Sequence, residues 1–311
     1  MVAVSMRKDV EAWCLQAFGH GQLTPVLPEA GGQMSDLFRF DSNRGEAVAV
    51  KVRPESLERI DRCLQLQAFA ADAGFPCARP LTAAHRLRAD MVVHAESWRS
   101  SGQMYAGSDH DFAARSASLL ARLVAILEGE APTGLGAPPP WISWNPPTGS
   151  LWPPNPAIDA MDQNLVPERV NAIARSVSER LTQTTLPLVV GHGDWESQNL
   201  RWQGTSPTTV HDWDSLVALP EAAIVGAASG AFTSTTIPTL APMEASEAFI
   251  DRYEEATGRR FTHEEREIAW AASLWPALHN ARGESLFKSP PTALSELTNQ
   301  APARLRLAGI R

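Results

Sequence analysis

Apolar residues recur along this chain at two different periods, and the change of period marks its parts. Val10, Trp13, Cys14 and Phe18 stand at helical spacing, and Gly19 follows. That pattern predicts an opening amphipathic helix that stops there. Three short segments come next, TPVLPEA, DLFRFDS and EAVAVKV. Turn residues separate them, GGQMS at 31–35 and then Asn43, Arg44 and Gly45. Short segments at this spacing predict an antiparallel meander. Leu57, Ile60, Leu64 and Ala68 return to the helical period, in a helix expected to end at Gly74. ARPLTAAHRL and DMVVHAESW then read as two further strands.

A helix is expected at about 111–128, and beyond it the periodicity is lost. Residues 131–156 carry nine prolines and three of the ten tryptophans. Helical patterning resumes at about 158–183, a strand–loop–strand block follows, and helices run to the end. Pro242 and Gly258 bracket one of these helices, and Thr262 with Glu265 predicts a capping box on the next. Pro276 predicts a kink in it. The expected architecture is α+β and bilobal. Residues 1–97 form a small antiparallel sheet with one packed helix. Residues 98–311 form a larger, mainly helical lobe interrupted by a Pro/Trp-rich loop at 131–157.

A length of 311 residues suits one large domain or two lobes. The net charge of −8 leaves no electrostatic footprint for nucleic acid or an anionic membrane, and favours a small cationic molecule instead. Cys14, Cys63 and Cys77 are dispersed, with no CxxC pair. This points to a reducing compartment, and a cytoplasmic location is expected. Charges at Arg7, Lys8 and Asp9 precede any long apolar run, which argues against a signal peptide. Monomer and homodimer are both compatible with the sequence.

The chemistry gathers in two stretches, VVGHGDWESQNLRW (Val189 to Trp202) and TTVHDWDSL (Thr208 to Leu216). The first is a strand followed by a loop that carries His192, Asp194 and Asn199. The second is a strand that delivers Asp212. A hairpin-like return would let Asn199 and Asp212 face one point. Two hard oxygen donors suit Mg²⁺, which takes one or two protein side chains and completes its shell with phosphate oxygens and water. Asp194 beside such an ion could orient a hydroxyl and take its proton. Two other readings stay open on these residues alone. The Asp-Asn-Asp set can cap local N–H groups. His192 and His211 with Asp194, Asp212 and Asp214 are also the right ligand types for zinc, although neither HxH nor HExxH spacing occurs.

HGDWESQN followed by VHDWD resembles the catalytic and metal loops of the aminoglycoside phosphotransferase and choline kinase families, relatives of the protein kinases. The resemblance implies a protein-kinase-like fold, with Asp194 as catalytic base, Asn199 and Asp212 as Mg²⁺ ligands, and His192 as a backbone-organising residue. EAVAVKVRP is similar to the kinase strand whose lysine meets the nucleotide phosphates, which marks Lys51. In GGQMSDLFRF, Gly31 and Gly32 would let the backbone approach phosphates, and Ser35 would donate to them. An ordinary hairpin turn accounts for that stretch equally well. The order of these features matches the family's from about residue 24 to 285.

Kinases pair this lysine with a glutamate on the next helix. Here Glu55, Glu58 and Asp61 all fall early, and Glu58 is the expected partner. Adenine would be read near residues 95–98, by Ala95 and Ser97. The resemblance implies ATP as donor and a small-molecule hydroxyl as acceptor. The acceptor is expected to be an aminoglycoside-like antibiotic or a related amino or sugar alcohol, which would make the protein an antibiotic-resistance factor. A choline-, homoserine- or ketosamine-like metabolite, or a nucleotide-binding protein without turnover, are the alternatives. Trp141 and Trp144, together with Glu247 and Asp251, are candidate acceptor contacts. Indole faces attract cations, and acids hold ammonium groups. A pinned surface loop and a solvated helix face account for the same residues without an acceptor.

Overall fold

A computed structural model describes residues 4–26 and 35–311 of the chain. It divides into two units, one formed by Met1–Gly102 with Thr208–Asp214 and the other by the remainder. Among the described residues no helix is long and apolar enough to cross a membrane.

The first unit is built on a five-stranded antiparallel sheet in the order β1-β2-β3-β5-β4. Its strands are β1 (Gly21–Pro25), β2 (Asp36–Ser42), β3 (Ala47–Pro54), β4 (His85–Arg86) and β5 (Met91–Ser97). Strand alternation gives the sheet two unlike faces. Phe38, Phe40, Val48, Val50, Val52, Val93 and Ala95 form one apolar face, which packs with Val10 and Cys14 of α1 (Val4–Phe18). The other face carries Lys51 and Arg53 of β3 and His94 and Glu96 of β5, all buried. Beside them Val92 packs with Ile60 and Leu64 of α2 (Leu57–Asp72). Ser56 caps α2 by accepting the Arg59 N–H.

The predicted strand ARPLTAAHRL is reduced to the two residues of β4. Pro80 has no N–H to give a ladder and contributes only an isolated bridge to Glu96. Residues 208–214 rejoin this unit late in the sequence. The Val210 N–H donates to the Pro76 carbonyl at 2.7 Å, and the Trp213 ring meets Phe75 edge-on at 5.8 Å.

The second unit is mainly helical. It contains α3 (His110–Ile126), α4 (Pro156–Asp159), α5 (Glu168–Thr182), α6 (Glu221–Ala231), α7 (Met243–Thr257), α8 (His263–Ala272), α9 (Trp275–Phe287) and α10 (Thr292–Leu307). Strands β6 (Leu188–His192) and β9 (Leu216–Pro220) pair antiparallel, with His192 opposite Leu216. Between them run β7 (Leu200–Gln203) and β8 (Ser206–Val210), and β8 carries the chain out into the first unit. The single helix expected at 158–183 is two, because Pro167 can start a helix but not continue one. Pro276 likewise does not kink a helix. It sits in the first turn of α9, where its missing N–H costs nothing, and α8 ends before it. The Thr262–Glu265 capping box forms on α8.

Candidate active site

In the first unit a cluster of buried charged and polar side chains lies on one face of the sheet. Lys51 and His94 are register partners across β3 and β5, so their side chains emerge on the same face, and Glu96 follows two residues on. The Lys51 ammonium is 3.1 Å from Glu96 Oε1 and 3.9 Å from Asp212 Oδ1. The carboxylate expected from α2 is therefore replaced by one from β5. Glu58 is exposed, Glu55 lies beside Arg59, and Asp61 accepts the Ala84 N–H. Gln67 is the residue of α2 that reaches the cluster, donating to Glu96 Oε2 at 2.8 Å and to the Ala78 carbonyl at 2.9 Å.

Burial opposes the Lys51 charge, but Glu96 and then Asp212 outweigh it and hold the ammonium above its ordinary pKa. Burial would also raise the Glu96 carboxyl. Lys51, His94 and the Gln67 hydrogen bond reverse that and bring it down to about 2. For His94, burial first and Lys51 second push the imidazole down to about 4. Its Nδ1 has no hydrogen-bond partner among the described residues.

The loop after β8 is fixed by arginines. Asp214 is ion-paired with Arg53, and the Asp214 carbonyl accepts a 3.0 Å bond from Arg59. Asp212 adopts a left-handed backbone, φ 57°, a conformation rare outside glycine and asparagine. Its side chain remains 45% exposed, so its oxygens are open to a ligand. Ser35 is half-buried just before β2, while Gly31 and Gly32 lie outside the described residues. Ala95 and Ser97 are less open than expected. The Ala95 N–H donates to Thr82, its carbonyl accepts from Leu81, and the Ser97 N–H donates to the Arg79 carbonyl. The sheet edge thus consumes the groups expected to read a base.

In the second unit, Asp194 follows β6 directly and is half-buried. His192, 1% exposed, accepts the Asp194 N–H on Nδ1 at 3.1 Å, which places its proton on Nε2. Asn199 Nδ2 donates both to Asp194 Oδ2 at 2.8 Å and to the Asp194 carbonyl at 2.9 Å. This fixes the carboxylate and turns the other atom of the amide, Oδ1, away from it as a free acceptor. Helices α3 and α6 brace the loop. Trp195 Nε1 donates to Ser116 Oγ at 3.0 Å, and Ser197 Oγ donates to the Phe232 carbonyl at 2.7 Å. A Cβ on Gly193 would stand 2.8 Å from Val217 and 3.1 Å from Ile142, so the loop requires glycine there.

Ile142 places the start of the Pro/Trp segment against the loop that carries Asp194. The neighbouring Trp141 is half-buried. Trp144 does not line a wall. It is 6% exposed and packs edge-on against Trp275 at 6.4 Å. Trp152 also packs on Trp275 and donates to Asn171, so tryptophans pin this segment onto α9 and α5. Glu247 is exposed on α7. Asp251 is not free for an ammonium group, because Arg266 holds it. Arg260 and Arg266 similarly hold the buried Glu254.

Among the described residues no three His, Cys, Asp or Glu side chains converge as a metal site. The zinc reading therefore has no support, since such sites need at least three protein ligands. Asp212 and the Asn199 amide oxygen are hard donors with open lone pairs. Each is the kind of ligand that Mg²⁺ takes alongside phosphate and water.

No curated protein matches the chain in sequence. Among solved structures, it is similar to amicoumacin kinase hAmiN in complex with AMP-PNP, Ca²⁺ and Ami. The TM-score is 0.66 at 10% identity, covering 97% of this chain and 93% of that one. It is also similar to a thermostable mutant of aminoglycoside phosphotransferase APH(4)-Ia in ternary complex with ADP and hygromycin B. Here the TM-score is 0.57 at 15% identity, covering 97% and 100%. A choline/ethanolamine kinase family protein from Mesorhizobium loti matches with a TM-score of 0.52 at 16% identity, covering 98% and 91%. These likenesses agree with a protein-kinase-like fold. The sequence profile of the APH phosphotransferase enzyme family matches residues 26–270, and the chain belongs to that family.

Proposed function

We propose that the protein transfers the terminal phosphoryl group of ATP, with Mg²⁺, to a hydroxyl of a small molecule, an antibiotic or a related amino or sugar alcohol. The observation that carries this reading is the fixed Asp194 carboxylate. Asn199 holds one of its oxygens, and the His192-anchored backbone holds its base. In this role Asp194 accepts a hydrogen bond from the acceptor hydroxyl, aligns it in line with the γ-phosphorus and takes its proton as the bond forms. Lys51 neutralises charge on the nucleotide phosphates. Asp212 and the Asn199 amide oxygen would hold the metal ion. When bound, that ion supplies charge neutralisation on the transferring phosphates. Catalysis is then mainly positioning and electrostatics.

Base reading passes in this proposal to the chain beyond Trp98, since Ala95 and Ser97 are engaged in the sheet edge. For the acceptor, Trp141 keeps its candidacy because Ile142 beside it abuts Gly193. Trp144 and Asp251 lose theirs to packing and to Arg266.

The test is a panel of aminoglycosides, other hydroxylated antibiotics, choline, homoserine and ketosamines assayed for phosphorylation with Mg²⁺–ATP. Asp194→Asn is expected to lower kcat by about 10²–10⁴-fold on any turned-over acceptor while nucleotide affinity holds. Near-wild-type turnover by that variant would remove Asp194 as base. Nucleotide binding with no turnover on any acceptor would favour a non-catalytic role.

A further inference from the structure

We infer that Glu96 of β5 positions Lys51 and keeps its ammonium off Asp212, leaving that aspartate to the cation. The inference rests on the roles proposed above for Lys51 and Asp212. Two carboxylates compete for one ammonium, at 3.1 Å and 3.9 Å. They are held very differently. Glu96 is 3% exposed, and both its oxygens are engaged, Oε1 by Lys51 and Oε2 by Gln67. Gln67 is itself 1% exposed and tied a second time to the Ala78 carbonyl. The Glu96 carboxylate therefore has one orientation. Asp212, by contrast, has a side chain 45% exposed, and its contact with Lys51 is longer than a hydrogen bond.

The local charge count supports the same role. Lys51, Arg53 and Arg59 face Glu96, Asp212, Asp214 and Glu55; Arg53 is matched by Asp214 and Arg59 by Glu55. What remains is one ammonium and two carboxylates, a net negative charge that attracts a divalent cation. Without the Glu96 charge the count is neutral and the nearest anion to Lys51 is Asp212. The ammonium would then settle on the aspartate, and a cation would have to displace it. Because Glu96 stands on a sheet strand in register with β3, Lys51 is held without any contribution of charge from α2.

The experiment measures how Mg²⁺ promotes binding of a non-hydrolysable ATP analogue to the full chain, by calorimetry and thermal shift. Wild type is compared with Glu96→Gln, Glu96→Asp and Gln67→Leu. The half-saturating Mg²⁺ concentration is expected to rise about tenfold or more in Glu96→Gln. A smaller rise is expected in Gln67→Leu, which loosens the carboxylate but leaves its charge. Glu96→Asp, which restores the charge on a shorter arm, should recover part of the loss. The gain in analogue affinity on adding Mg²⁺ is read for each variant against that variant's own Mg²⁺-free affinity, which separates cation capture from general damage to the site.

A folded Glu96→Gln variant with wild-type Mg²⁺ dependence overturns the inference and leaves the proposed reaction standing. If Glu96→Gln does not fold, Gln67→Leu and Glu96→Asp decide the question in the same way. If the wild type binds the analogue without regard to Mg²⁺, the proposed roles of Lys51 and Asp212 fail, and the inference fails with them.

Discussion

The groups of the candidate site are fixed one hydrogen bond at a time, and each bond has a traceable reason. Asn199 illustrates the economy of the arrangement: one end of its amide locks Asp194 and the other stays open. His94 is one of two residues, with His279, whose burial leads to a measurable pH effect. Its folded pKa of about 4 lies below the ordinary value of 6.5. Between these two values the unfolded chain binds a proton that the folded chain refuses, so stability rises with pH across that window and levels off above it. The full effect is roughly 3 kcal/mol for this imidazole. Urea unfolding at pH 7.5, 6 and 5 should show the decline on acidification, and His94→Leu should remove about half of it, because burial and then Arg282 push His279 down to about 4 as well. An unchanged slope in the variant would show that His94 is not a titrating group.

Legibility at this scale follows sequence distance. Lys51, Asp194, Asn199 and Asp212 stand in short motifs whose spacing carries meaning by itself. Glu96 and Gln67 meet Lys51 only through strand register and helix packing, which no local spacing encodes. A faint signal was available. His94 and Glu96 alternate with apolar neighbours in MVVHAES, and polar residues at period two on a buried strand are costly unless something answers them.

Elements set where those bonds can form. The hydrophobic periods locate α1, α2, α3, α7 and the β2–β3 pair closely. Three of the departures come from prolines. Pro80 shortens β4, Pro167 begins α5 and Pro276 begins α9, because each lacks the N–H that a continuing ladder or helix would need. Between α6 and α8 the fold depends on close backbone approach. A Cβ at Gly226 would stand 2.1 Å from the Ala269 carbonyl oxygen, and one at Gly230 would stand 2.1 Å from that of Ser273. Backbone cannot yield as a side-chain tip can, so α6 would have to shift. Gly226→Ala is therefore expected to cost about 1–3 kcal/mol or more. Gly283→Ala on α9, where a Cβ meets nothing within 4 Å, should be neutral or stabilising. Thermal melts of the two variants side by side test this, and equal melting temperatures would contradict it.

At the scale of the whole molecule, the first unit is discontinuous in sequence. Its main body ends at Gly102, yet it is completed by Thr208–Asp214. That short return brings Asp212 to Lys51 and buries Trp213 against Phe75. It also gives Arg53 its ion-pair partner, Asp214. A fragment of residues 1–102 would leave Arg53 buried without that counter-ion and Phe75 uncovered. Removing one partner of a buried ion pair costs about 3–5 kcal/mol, a large share of a small domain's stability. The fragment is expected to lack a cooperative thermal transition by circular dichroism, and a sharp melt would show that the return is dispensable.

The late return of Asp212 also orders events during synthesis. Domains usually fold as they emerge, amino-terminal part first. Here the early strands must wait for residue 214 of 311 to clear the ribosome before their last segment arrives. Until then the nascent sheet carries Lys51 and Arg53 without Asp212 and Asp214, and ribosome-bound chains halted before residue 208 should remain protease-sensitive over their first hundred residues.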